Sequence, residues 1–320
     1  MKEKIKTIFM GTPPLAAIGL QALLDSDFFD ICAVITQQDK NSGRNMRISK
    51  SAVKVLAEEN NLKVWQPHKL KEIIDNIKEV KPDLILVIAY GKILSKEILD
   101  IPKYGCLNVH GSLLPKHRGA SCLQGAILSG DKKTGITIMK MDKGMDTGAI
   151  IKKIEIELSS EETSASLMEK IQKLTSENLA SIIKDYLEGN LKPQPQNESE
   201  ASNVKMISKE DGRLNFKENT ALEIERKIRA YFPWPGSYAF IEKNDLPKTK
   251  ILFKILKSSN NFIEDKSHQP GTLFLKDGFL LVKCKDTALI IEKLQLEGKK
   301  PMEAQEFLKG NNWIIGKILQ

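Results

Sequence analysis

Short apolar runs and longer helical periodicities alternate along the first half of the chain. "IKTIFMG", "FDICAVITQ", "DLILVIAYG" and "CLNVHG" read as strands, and "LAAIGLQALLDS" and "SAVKVLAEENN" place apolar residues at helical spacing. Such alternation predicts a Rossmann-like, mostly parallel sheet covered by helices on both faces. The first strand ends in "GTPP", so the G-x-G-x-x-G fingerprint of a dinucleotide site is missing, and a nicotinamide dehydrogenase loses its main support.

A strand at "TGITIMKM" and a turn at "DKGMDTG" lead into residues 161–186, where Leu167, Ile171, Leu174, Leu179, Ile183 and then Leu187 follow a helical period. The composition changes next. Residues 188–205, "EGNLKPQPQNESEASNVK", are poor in apolar side chains and read as an exposed linker. Thr220 and Glu223 form a capping box that opens a helix with Ala221, Ile224, Ile228 and Tyr231 on one face, and Pro233 and Pro235 stop it. "GSYAFIE", "KILFKIL", "GTLFL", "GFLLVKC" and "ALIIEKLQ" then follow as short strands with turn signals between them, the pattern of a small barrel. The expected organisation is one domain over 1–188, a linker over 189–207 and a second domain over 208–320.

At 320 residues the chain accommodates two cores, and 41% hydrophobic against 28% charged residues is ordinary for a globular protein. No apolar run reaches the length of a membrane span, and the N-terminus shows no signal-peptide pattern. Cys32, Cys106, Cys122 and Cys284 lack C-x-x-C spacing, which suggests neither a zinc site nor a disulfide framework and fits a reducing cytoplasm. The net charge of +8 is uneven: residues 205–320 hold 21 Lys and Arg against 15 Asp and Glu. Either a solvated lysine-rich surface or a polyanion-binding face accounts for it.

Active sites of open parallel sheets lie beyond the carboxyl ends of their strands. Gly11–Pro14, Tyr90–Gly91, Asn108–Pro115 and Asp142–Asp146 should meet there. In an extended chain Asn108 and His110 point to the same face, roughly 6–7 Å apart. An amide that donates and accepts, a titratable imidazole and a carboxylate at Asp146 suit transfer of an acyl-type group. Each has a plainer reading alone: a hydrogen-bonded core histidine, and turn aspartates at Asp142 and Asp146 that bond their own backbone. His117, between Lys116 and Arg118, reads as part of a basic turn. Ser112 lacks the G-x-S-x-G elbow of a nucleophilic serine. Residues 39–51, "DKNSGRNMRISKS", form a long basic connection in which Arg44, Arg47, Lys50 and Lys54 could contact phosphates.

"FMGTPPLAA", "PDLILVIAYGKILSKEIL", "GCLNVHGSLLPKHRGAS", "TGITIMKMDKGMDTGAII", "AYFPWPGSYAF" and "LEGKKPMEAQEFLKG" together make the chain resemble the methionyl-tRNA formyltransferases, within the wider group of enzymes that use 10-formyltetrahydrofolate. The resemblance spans nearly the whole chain. It implies a catalytic trio of Asn108, His110 and Asp146. Ser112, Leu113, Leu114 and Pro115, with Tyr90, Gly91 and Asp142, would border the folate. It places Arg44, Arg47 and Lys50 in a loop that engages tRNA, and makes the C-terminal barrel an oligonucleotide-binding (OB-like) one. Initiator methionyl-tRNA and 10-formyltetrahydrofolate are the implied substrates of a cytoplasmic monomer without a metal. The chain departs from the family's usual pattern at Pro14 and Leu15, at Ser121 and Cys122 where Ala and Pro are common, and at Phe216 where Trp is frequent. The same chemistry on an amino-sugar nucleotide or a purine precursor, or hydrolysis of the formyl folate, are the enzymatic alternatives. An inactive RNA-binding module is the alternative outside catalysis.

Overall fold

A computed structural model describes residues 3–42, 47–243 and 250–320. The chain divides into two compact units, one of Met1–Cys122, Lys133–Glu157 and Met168–Lys205, the other of Leu123–Lys132, Leu158–Leu167 and Met206–Gln320.

The strands of the first unit are β1 (Ile5–Gly11), β2 (Phe29–Ile35), β3 (Lys40–Ser42), β4 (Arg47–Ser49), β5 (Val64–Trp65), β6 (Leu84–Ile88), β7 (Cys106–His110), β8 (Lys133–Lys140) and β9 (Ile150–Glu157). Seven of them make one sheet in the order β5-β2-β1-β6-β7-β8-β9. The strands from β5 to β7 run parallel, whereas β8 and β9 are antiparallel. Every residue of β6, "LILVI", is buried, as a central strand covered on both faces requires. The helices of the chain are α1 (Pro14–Leu24), α2 (Ala52–Glu59), α3 (Ile74–Val80), α4 (Lys96–Leu99), α5 (Cys122–Ser129), α6 (Ser164–Leu187), α7 (Ala221–Ala230) and α8 (Ala304–Leu308). α1 starts with Pro14 at its first turn, where the missing N–H costs nothing. A side chain at Gly11 would sit 2.5 Å from the Ala16 Cβ and 2.9 Å from the Ile88 carbonyl oxygen, so the crossing from β1 to α1 leaves no room for one.

The long basic connection contains a hairpin of its own, β3 paired antiparallel with β4. Arg44 lies outside the described residues, and Arg47 opens β4. Lys50 is ion-paired with Glu58 at 2.7 Å and Lys54 with Asp39 at 2.6 Å. The stretch expected to be an exposed linker is indeed mostly exposed, but it is also fastened to the first unit. Gln194 and Ile150 exchange backbone hydrogen bonds of 2.7 and 2.8 Å, and the Ser202 carbonyl accepts from the Arg118 amide at 2.8 Å.

In the second unit, β10 (Ser237–Glu242), β11 (Lys250–Ile263), β12 (Leu273–Lys276), β13 (Phe279–Lys283), β14 (Ala288–Leu296) and β15 (Met302–Glu303) form an antiparallel sheet in the order β10-β11-β14-β13-β12, with β15 on β14. The C-terminal tail joins its two edges. Leu273 of β12 donates to the Lys317 carbonyl and accepts from Gly316, and Phe240 of β10 exchanges two backbone hydrogen bonds of 2.8 and 2.9 Å with Gln320. The sheet is thereby closed into a barrel around Phe253, Ile255, Leu280, Val282, Leu289, Ile291 and Leu294. The capping box on α7 is complete, and Ala221, Ile224 and Ile228 pack into this core.

Candidate active site

β7 ends at His110 between β6, where Val87 is paired with Asn108, and β8, where Thr137 is paired with His110. Alternation puts the Asn108 and His110 side chains on the same face. Asn108 is half-buried, and its amide makes no hydrogen bond to another described residue. His110 is 6% exposed.

The turn after β7 is braced from β8. Thr137 Oγ1 donates to the Ser112 carbonyl at 2.6 Å and accepts from the Leu114 amide at 3.1 Å, while Ser112 Oγ donates to the Lys116 carbonyl at 2.6 Å. Ser112 and Leu114 are fully buried and Pro115 is buried too, so these side chains build the turn from inside, and Leu113 is the half-exposed one of the four. Tyr90 is likewise interior, 1% exposed in the core beside β6, with a hydroxyl that has no partner among the described residues. Burial lifts that phenol to about 12. Gly91 is exposed.

The two aspartates of "DKGMDTG" divide the work of the turn. Asp142 Oδ1 accepts from the Gly144 amide at 3.0 Å and from Thr147 Oγ1 at 2.6 Å, the plain turn role. Asp146, with φ of 55°, instead directs Oδ2 to the Gly119 amide at 2.8 Å and to His110 Nδ1 at 3.6 Å. His110 Nε2 donates to the His117 carbonyl at 2.9 Å. With oxygen acceptors facing both ring nitrogens, the doubly protonated imidazolium is the form that fits. Burial lowers the imidazole pKa, but Cys122, then Asp146 and the His117 carbonyl, outweigh it and lift it to about 9.

Sequence reading missed the support of this site. His117 and Arg118 are not a solvated basic turn: both are 5% exposed. The Arg118 guanidinium makes two contacts to Glu198 at 2.9 and 2.7 Å and two to Gln196 Oε1 at 3.1 and 2.8 Å. Gln196 Nε2 in turn donates to the Asp146 and Gly148 carbonyls, both at 2.8 Å. Gly119 has φ of 111°, and a Cβ there would lie 2.4 Å from the Val204 carbonyl oxygen, so only glycine fits where its amide meets Asp146. No local signal marks this support, because the partners of Arg118 lie some 80 residues away in the apparent linker.

The donors and the acceptor suit a carbonyl that gains negative charge: an open amide, a charged imidazole and a carboxylate one hydrogen-bonding shell behind. A separate cavity of about 510 Å³ lies within the second unit, bordered by Ile228, Phe232 and Leu256. Its cations are already paired, Arg229 with Glu225, Lys257 with Glu292 and Lys293 with Glu303. Among the described residues no helix is long and apolar enough to cross a membrane.

Comparisons with known proteins cover both halves of the chain. Residues 3–183 match the formyl transferase family and residues 206–312 match the formyl transferase C-terminal domain. The methionyl-tRNA formyltransferase of Caldanaerobacter subterraneus subsp. tengcongensis is 40% identical over 320 residues, covering 99% of this chain and 100% of that one. An N-formyltransferase from Helicobacter canadensis, solved with folinic acid and dTDP-3-aminofucose, superposes with a TM-score of 0.65 at 22% identity over 90% of this chain and 98% of that one. HypX from Aquifex aeolicus, solved with tetrahydrofolic acid, gives 0.57 at 16% identity over 96% of this chain, which spans only 47% of that longer protein. The two solved structures share the fold, and on the two family matches and the full-length relative the chain belongs to the formyl transferase family.

Proposed function

We propose that this chain transfers the formyl group of 10-formyltetrahydrofolate to the α-amine of methionine carried on initiator methionyl-tRNA. The observation that carries the reading is the end-to-end likeness to a methionyl-tRNA formyltransferase, with an imidazolium held between Asp146 and the His117 carbonyl beside the open Asn108 amide. The folate supplies a formyl carbon already bonded to a nitrogen leaving group. Asn108 donates to the formyl oxygen as negative charge develops there, a donor worth about 10²–10³ in rate, and the charge of the His110 imidazolium, whose two N–H groups face Asp146 and the His117 carbonyl, stabilises the same oxygen. Asp146 holds the ring by its Nδ1 edge and receives the proton shed by the attacking amine, directly or through water, and that proton passes to N10 of the folate as its bond to the formyl carbon breaks. Leu113 is the side chain of the Ser112–Pro115 turn placed to touch the folate, while Ser112, Leu114 and Pro115 set the shape of the turn. Tyr90, Gly91 and Asp142 act through the backbone and the turns they fix.

Residues 1–188 form the catalytic domain in this reading, 189–207 the connection and 208–320 an OB-like domain that meets tRNA phosphates. Arg44, Arg47 and Lys50 engage the acceptor end of the tRNA, and the enzyme works as a cytoplasmic monomer. The test is transfer of labelled formyl from 10-formyltetrahydrofolate to initiator methionyl-tRNA, with elongator methionyl-tRNA and an amino-sugar nucleotide alongside. Preferential labelling of initiator methionyl-tRNA is expected. Labelling of the sugar, or release of formate alone, would overturn the acceptor.

A further inference from the structure

The two acceptors that face His110, the Asp146 carboxylate at Nδ1 and the His117 carbonyl at Nε2, come from non-glycine residues in the left-handed region, with φ of 55° and 58°. Such residues keep that conformation only where their neighbours over-determine it. Both are held by one stretch of chain, residues 194–204. Gln196 Nε2 donates to the carbonyls of Asp146 and Gly148, and its Oε1 takes two N–H groups of Arg118. Further along, Ser202 Oγ accepts from the His117 amide at 2.9 Å, and the Ser202 amide donates to the Pro115 carbonyl at 3.2 Å. The Val204 amide donates to the Arg118 carbonyl at 2.8 Å, and the paired backbones of Gln194 and Ile150 anchor the other end.

We propose that residues 194–204 are a strap that sets the two acceptors of His110 against the ring, with Gln196 the positioning residue for Asp146 and Ser202 the positioning residue for His117. This rests on the function proposed above only for its kinetic consequence. A glutamine amide offers two N–H groups and two lone pairs, and Gln196 has all four committed, so Glu lacks the donors and Met lacks both. The contacts also form a closed ring. Arg118 precedes Gly119, whose amide holds the Asp146 carboxylate at 2.8 Å, so the path from Asp146 through Gln196 and Arg118 returns to Asp146. At 3.6 Å from Nδ1 that carboxylate stands just outside hydrogen-bonding range, and a small movement of its turn decides whether the two bond or separate. Misplacing a catalytic group by about 1 Å can cost about 10² in rate, which is the scale on which such a strap matters.

The experiment has two arms on the full-length protein. In the first, which requires no substrate, the His110 imidazole is titrated by NMR, its signal identified by its absence in His110→Asn. Against the burial that would deprotonate it, Cys122, Asp146 and the His117 carbonyl hold the ring doubly protonated, so a displaced acceptor shows as loss of the proton at lower pH. The midpoint is expected to fall by about one unit in Gln196→Met and by less in Ser202→Ala, with Ser202→Thr close to the unsubstituted protein. A midpoint unmoved in both Gln196→Met and Ser202→Ala would overturn the proposal. In the second arm, kcat for formyl transfer is expected to fall about ten-fold in Gln196→Met with the KM for folate unchanged, and Ser202→Thr to recover what Ser202→Ala loses. A raised KM with kcat untouched would also overturn it. Ser202 is exposed, so Ser202→Ala keeps both readouts open should Gln196→Met fail to fold. A shifted His110 midpoint in a protein that formylates no tRNA would instead remove the proposed acceptor and leave the strap in place.

Discussion

At the residue scale the site depends on a few atoms whose partners are distant in the chain. His110 faces an oxygen at each ring nitrogen, and the group that sets its Nδ1 side, Asp146, is itself placed by Gly119 and by Gln196. His110→Ala should therefore lower kcat by about 10²–10³ while thermal unfolding shows a folded protein, since the positive charge that stabilises the oxyanion is lost. A near-normal kcat would refute its role. Asn108 and His110 were legible from strand alternation alone. Arg118, Gln196 and Glu198 were not, because the Pro- and Ser-rich composition of residues 188–205 signals exposure, and exposure of most of a segment does not reveal that one glutamine in it bridges an arginine and an aspartate turn.

At the scale of elements, periodicity located what is repeated and missed what is short or at an edge. β6 and β7 emerged from their apolar runs, and α7 from its capping box and its face of Ala221, Ile224 and Ile228. β9 carries Lys152, Lys153 and Glu155 outward on an edge, so its pattern is diluted by the charges that guard such edges. The β3–β4 hairpin is too short for any period to register. The tail matters most here. Gly316 and Lys317 bond to β12, and Gln320 bonds to β10. Ending the chain after Ile315 should break this closure, expose two strand edges and lower stability by about 2–4 kcal/mol, read as a denaturant midpoint shift. An unchanged midpoint would show that the barrel does not depend on its closing strand.

For the whole molecule, charge and connectivity carry the argument. The excess of Lys and Arg over residues 205–320 predicts that raising salt weakens tRNA use more steeply than folate use, because phosphate contacts release counterions. Equal salt slopes would count against a polyanion-binding role for that last third. Sequence alone determined β1, β2, β6, β7 and β8 of the sheet, five of the barrel strands and the placement of Asn108 and His110, since all follow from local periodicity and turn chemistry that every residue reports for itself. Tertiary structure alone decided which aspartate meets the histidine and that His117 and Arg118 turn inward. Those outcomes depend on left-handed turns at His117 and Asp146 and on contacts between segments far apart in the chain, and no local pattern encodes a partner that only the completed fold brings near.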